Sequence, residues 1–173
     1  MGGCYRGSAH SVSPADLARD PGWALVRDVP FVPSAQEHDC GVAALAMVFQ
    51  HWGVAASTTA ALSTQGAPGD DGVQAGALRD LARQQGLRAF LIQGEQADLA
   101  REIGRDHPVL VGVVQRYTTR AMAHYEVVTG INTRTHEVLT LDPGRGPRQD
   151  TWDAFAAEWG GANRLALVVV GPR

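Results

Sequence analysis

From Cys40 to Gln50 almost every position is apolar, in the order Cys-Gly-Val-Ala-Ala-Leu-Ala-Met-Val-Phe-Gln. A helix apolar over most of its circumference has no face to give to water, so it belongs at the centre of a domain. Asp39 suits its N-cap and Gly53 its stop. The next pattern is different in kind. From Gln74 to Gln85, Leu78, Leu81 and Ala82 share one side among polar residues, which predicts an amphipathic helix ended by Gly86. Further on, Leu87 to Ile92 reads as a strand, Gln96 to Arg105 as a helix, and Pro108 to Val114 as a buried strand. Strands are then predicted over Tyr125 to Thr129, Glu137 to Leu141 and Leu165 to Val170, with a short helix from Trp152 to Trp159.

Helices early and strands late predict an α+β fold with a largely antiparallel sheet. No internal repeat is visible. A short helix is expected after Ser57-Thr58, and a Gly/Asp loop over Gln65 to Gly72. Residues 1–22 are rich in Gly, Ser and Pro without a sustained period and read as a flexible tether, so the domain is placed at 23–173. Within it, Ala24 to Phe31 enters as an extended segment, kept out of helix by Pro30 and Pro33, and leads to Gln36.

With 173 residues and 45% hydrophobic content, the chain supports one domain with an ordinary core. A net charge of -3 gives none of the basic excess by which proteins gather on nucleic acid, so no nucleic-acid partner is expected. The two cysteines, Cys4 and Cys40, are not expected to pair. No Cys or His stands at a zinc-ligand spacing from Cys40, so no metal is expected. No apolar run reaches the roughly 20 residues that cross a bilayer. Gly3-Cys4 followed by a polar stretch is similar to the processed start of a bacterial lipoprotein. That reading predicts a lipid anchor at Cys4 and a place in the extracytoplasmic cell envelope. The plain alternative is a disordered tail in a cytoplasmic protein.

The candidate chemistry centres on Cys40. The first turn of a helix lowers a thiol pKa through its free N–H groups and positive dipole end, while the neighbouring Asp39 carboxylate opposes this. Taken alone, Cys40 reads as a small buried hydrophobe. Gln36, just upstream, adds a side-chain amide able to donate to an oxyanion, together with the Cys40 backbone N–H. His124, ahead of Tyr125-Glu126-Val127-Val128, is placed at the start of a strand that fixes its ring, as a general base requires. Asp142 closes the strand Val138 to Leu141 before Pro143-Gly144, where a carboxylate can hold an imidazole tautomer. Its other reading is a plain Asp-Pro-Gly turn. The remaining histidines, His10, His38, His51, His107 and His136, read as structural or surface residues.

Three separated segments, Gln36-x-x-Asp39-Cys40-Gly41 with Ala43 to Met47, His124-Tyr125-x-Val127-Val128-x-Gly130, and Leu141-Asp142-Pro143, resemble the bacteriocin-processing, double-glycine-leader cysteine peptidases of the papain-like superfamily. The resemblance spans about Val29 to Val170 and is nearer to free-standing, lipoprotein-type members than to transporter-fused ones. It implies the papain-like fold and peptide hydrolysis, with Cys40 as nucleophile, His124 as base and acid, Asp142 as orienting residue and Gln36 as oxyanion donor. It implies no cofactor, a peptide or protein substrate, and export or envelope assembly machinery as partner. Two other readings of the same fold stay open: a catalytically idle peptide-binding or assembly module, and a papain-like amidase or acyltransferase with a non-peptide substrate.

Overall fold

The computed structural model describes residues 4–35, 39–55, 58 and 73–172. The expected loop over 65–72 lies outside these residues, as does the expected helix after Ser57 apart from Thr58. The framework is an eight-stranded sheet: β1 (His10–Ser11), β2 (Trp23–Leu25), β3 (Arg88–Gln93), β4 (Val109–Arg116), β5 (Ala121–Asn132), β6 (Glu137–Asp142), β7 (Gly146–Thr151) and β8 (Leu165–Val170). Its order is β1-β7-β6-β5-β4-β8-β3, with β2 paired to the far end of β5, and every pairing among the named strands is antiparallel. The helices are α1 (Pro14–Leu17), α2 (Cys40–His51), α3 (Ala75–Gln84), α4 (Gln96–Gly104) and α5 (Trp152–Gly161). This is the expected α+β arrangement.

Alternation along the strands divides the interior into two cores, because successive side chains point to opposite faces. Leu110, Val127, Leu141, Leu167 and Val169 pack with α2 and α3, through Leu45, Val48, Phe49, Leu78 and Ala82. On the other face Val109, Val111, Val113, Val128, Ala166 and Val168 meet Leu99 and Ile103 of α4 and Phe155 and Trp159 of α5. As its composition requires, α2 is buried continuously from Gly41 to Phe49. Asp39 occupies the N-cap position of α2, but its side chain makes no capping hydrogen bond, contrary to expectation.

β5 is longer than its apolar core predicts. It pairs with β4 from Ala121, so His124 lies inside the strand rather than at its start. The Ala-Met-Ala stretch ahead of it is a weak strand signal, and hairpin pairing carries the ladder outward from the apolar centre. Between Val128 and Gly130 the register with β6 shifts, leaving Thr129 as the extra residue of a bulge. The Thr129 carbonyl accepts the Val26 N–H at 2.8 Å, which attaches the chain beyond β2. A Cβ at position 130 would stand 2.6 Å from the tip of the Leu25 side chain and 3.1 Å from Leu139 Cβ, so glycine lets Leu25 lie close over β5 where the two strands pair.

The largest departure from expectation is at the start of the chain. Within the stretch 1–22 read as a flexible tether, residues 5–12 lie along the sheet: β1 pairs with β7, Tyr5 bridges to Tyr117, and the Arg6 N–H donates to the Arg116 carbonyl at 2.8 Å. The reason lies in β7, whose Pro147, Arg148 and Asp150 gave no strand signal. Asp150 accepts from Ser8 Oγ at 2.5 Å, and Arg148 donates to the Ala9 carbonyl and lies 4.9 Å over the Tyr5 ring. A polar strand and a Gly/Ser-rich segment thus satisfy each other through backbone and side-chain hydrogen bonds, which hydrophobic periodicity does not register.

Tyr5 is the anchor of this strap. Its hydroxyl donates to Glu158 Oε1 at 2.7 Å and its ring lies under the Arg145 guanidinium at 4.3 Å. Tyr5→Ala removes the ring and strips half-buried Glu158 of a donor. The expected cost is about 2–4 kcal/mol, read as a lower urea midpoint, against no change for a free tether.

Candidate active site

Three elements meet at the site. α2 begins at Cys40, β5 carries His124, and β6 ends on Asp142. Gly41 makes the meeting of α2 and β5 possible, since a Cβ there would stand 3.0 Å from the Tyr125 ring and 3.3 Å from Leu78. The Cys40 side chain hydrogen-bonds with His124 and accepts from the backbone N–H groups of Tyr125 and Gly41. The other end of the imidazole is fixed: His124 Nε2 lies 2.9 Å from Asp142 Oδ1. Nδ1 is therefore the ring nitrogen left for the thiol. Three of the four sequence-predicted site residues are thus brought into one line, Cys40, His124 and Asp142. Gln36 lies outside the described residues. Just before it, the Ser34 N–H donates to the Pro143 carbonyl at 2.9 Å, tying the loop that leads to α2 to the turn that follows Asp142.

Electrostatics follow from burial and partners. Burial alone pushes the Cys40 thiol up, but the hydrogen bond to His124, its charge, and the two backbone N–H donors bring it below its ordinary value. Burial opposes charging of His124 as well. Hydrogen bonds to Asp142 and Cys40 and the negative charge of Asp142 prevail, and raise it to about 10. Asp142, only 1% exposed, is held below the usual carboxylate range against the effect of burial, first by the His124 hydrogen bond and charge, then by the Gly144 N–H and Gln115. A depressed thiol beside an elevated imidazole favours the thiolate–imidazolium pair, the reactive form of a cysteine nucleophile.

Behind this line lies a buried polar layer that the sequence pattern did not single out. Gln115 Nε2 donates to Glu126 Oε1 at 2.8 Å and to Asp142 Oδ2 at 3.2 Å, while its Oε1 accepts from Tyr117 Oη and Arg145 Nη2, each at 3.0 Å. Arg145 Nε lies 3.8 Å from Asp142 Oδ2. A signal was present: Glu126 interrupts the apolar run of β5 two residues beyond His124, and therefore shares its face. Among the described residues, the donor atoms of His124, Glu126 and Asp142 lie within 4.8 Å of one another, close enough to surround a cation. Both carboxylates already accept from the Gln115 amide, and Arg145 supplies positive charge beside Asp142, so hydrogen-bond donors fill the role a metal would take.

His10 lies in β1, and His51, His107 and His136 also stand apart from this site. His51 has one ring nitrogen 3.1 Å from the Arg27 carbonyl and the other 3.0 Å from the Asp106 carbonyl. His107 Nδ1 lies 2.9 Å from Glu102. His136 takes a left-handed turn conformation, with φ 56°.

The peptidase C39 family profile matches residues 28–169. No curated protein sequence matches the chain. Among solved structures, the peptidase domain of Streptococcus ComA, a bi-functional ABC transporter involved in quorum sensing, superposes with a TM-score of 0.67 at 23% identity, over 83% of this chain and 99% of that one. A C39-like peptidase from Bacillus anthracis gives 0.69 at 17% identity, over 86% and 97%. A double glycine motif protease from an AMS/PCAT transporter, solved with its leader peptide, gives 0.62 at 17% identity, over 86% and 94%. With the family profile covering most of its length and the papain-like fold shared with these domains, the chain belongs to the peptidase C39 family and is a cysteine peptidase.

Proposed function

We propose that the protein hydrolyses a peptide bond after a Gly-Gly pair through a Cys40–His124–Asp142 triad, with Gln36 as oxyanion donor. The observation that carries this reading is the imidazole held at 2.9 Å by Asp142 with its other nitrogen left for the Cys40 thiol. The Cys40 thiolate attacks the scissile carbonyl carbon, a C–S bond forms, and the carbonyl electron pair moves to oxygen. The Cys40 backbone N–H and the Gln36 amide receive that charge. Collapse of the intermediate breaks the C–N bond, and the leaving amine takes its proton from the His124 imidazolium. His124, now neutral, removes a proton from water as the water attacks the thioester. Collapse of this second intermediate breaks the C–S bond, the acid product leaves, and the thiolate–imidazolium pair is restored.

The substrate class rests on the double glycine motif protease and its bound leader peptide, whose fold this chain shares. In this reading the protein is a free-standing, lipoprotein-type member, attached through an acyl group on exposed Cys4 and working beside export or envelope machinery. Labelling with a radioactive fatty acid, lost on Cys4→Ser, tests the anchor. The substrate is tested with synthetic peptides carrying Gly-Gly, Ala-Ala or Leu-Leu at one position, their products read by mass spectrometry. Cleavage is expected after Gly-Gly at a rate at least about tenfold above the bulkier pairs, the scale on which pockets reject extra carbon atoms. Binding of all three peptides without cleavage would point to an idle binding module instead.

A further inference from the structure

Glu126 is a buried acid that the proposed reaction does not use. It is 6% exposed, on the same face of β5 as His124, and its carboxylate lies within 4.8 Å of the donor atoms of His124 and Asp142. The groups that face it come from every neighbouring element. β4 contributes Gln115, bonded to it at 2.8 Å, and β6 contributes Asp142 and the Thr140 hydroxyl, which donates to it. Arg145, in the turn after β6, reaches Gln115 and Asp142. Across on α5, Glu158 feels its charge.

The amide of Gln115 can take only one orientation here. Tyr117 and Arg145 bring donors to its oxygen, so its NH2 must face the two carboxylates. One rigid side chain, 1% exposed, thereby couples Glu126 to Asp142 and through Asp142 to His124. Two carboxylates this close cannot both ionise cheaply. Asp142 has the imidazole, the Gly144 N–H and Arg145 beside it and takes the charge, while burial and the charge on Asp142 push Glu126 up toward its protonated form.

We propose that Glu126 is a positioning residue for the thiol–imidazole pair: with Gln115 it orients Asp142, and in its ionised form it places a second buried negative charge behind His124, prolonging the imidazolium. The inference rests on the triad reading above, and is tested without any peptide substrate. Two measurements serve: the His124 ring titrated by NMR, and the pH profile of Cys40 alkylation by iodoacetamide in a Cys4→Ser background. Glu126→Gln keeps the shape and the Gln115 contact but can never ionise. It is expected to lower the His124 midpoint and the alkaline limb of alkylation by about one pH unit, the usual scale for a nearby charge. Thr140→Val, close in shape, removes a donor from Glu126, delays its ionisation and moves the same midpoint downward by less. It also serves should Glu126→Gln fail to fold. Midpoints equal to wild type in either folded variant overturn the role of Glu126 and leave the triad reading standing. A His124 that titrates without affecting Cys40 in the wild-type protein overturns the triad reading, and this inference with it.

Discussion

Cys40→Ala is expected to abolish peptide hydrolysis, lowering kcat by about 10⁵-fold or more, the scale on which loss of a nucleophile acts in a triad whose members work as one unit. The fold should be indifferent. Cys40 is only half-buried, at the first position of α2, and the core of that helix begins beyond it at Gly41. The stability change should stay below about 1 kcal/mol, visible as a urea midpoint close to wild type. Cys4→Ala supplies the control, since that exposed thiol is not part of the site. Comparable turnover in wild type and Cys40→Ala, or turnover lost only in the Cys4 variant, would remove Cys40 from the chemistry. Cys40→Ser separates thiol from position: it keeps a hydrogen-bonding atom facing His124, yet its alcohol gains too little nucleophilicity from the same imidazole to restore activity.

The apolar patterns carried most of the architecture. β8 was legible over its full observed span, Leu165–Val170, because a strand buried on both faces shows as an unbroken aliphatic run. α2 and α3 were legible for opposite reasons, one apolar all round and the other on a single side. β7 and β1 were not legible, because their own residues are mostly polar and their pairing is made by the backbone. The same blindness hid the buried polar layer of the site. Cys40, His124 and Asp142 stand beside recognisable punctuation, a helix start, an apolar strand and an Asp-Pro-Gly turn. Gln115 has none of these, and its role exists only once β4, β5 and β6 bring Glu126 and Asp142 to its amide.

Asp142→Ala should be nearly as damaging as loss of the thiol, and for two separable reasons. The carboxylate fixes the His124 ring through the 2.9 Å contact to Nε2, and its charge helps raise that ring to about 10. Removing both functions is expected to lower kcat/KM by about 10³–10⁴-fold. Asp142→Asn divides the two, since its amide oxygen can still accept the ring N–H while the charge is gone. It should recover part of the rate, with the alkaline limb of Cys40 alkylation moved to lower pH. The sign for stability follows from linkage. His124, raised in the folded protein, contributes stability that is complete below its ordinary 6.5 and is lost as pH climbs through about 10. Asp142, depressed, contributes stability present above the ordinary carboxylate range and lost as acid protonates it. The pair therefore holds the fold most firmly from just above the carboxylate range to about pH 6.5, and less as pH rises toward 10. The gap in urea midpoint between wild type and Asp142→Ala should be widest in that window, and should narrow at both ends of the pH range. A gap that stayed constant with pH would mean that Asp142 acts by packing alone.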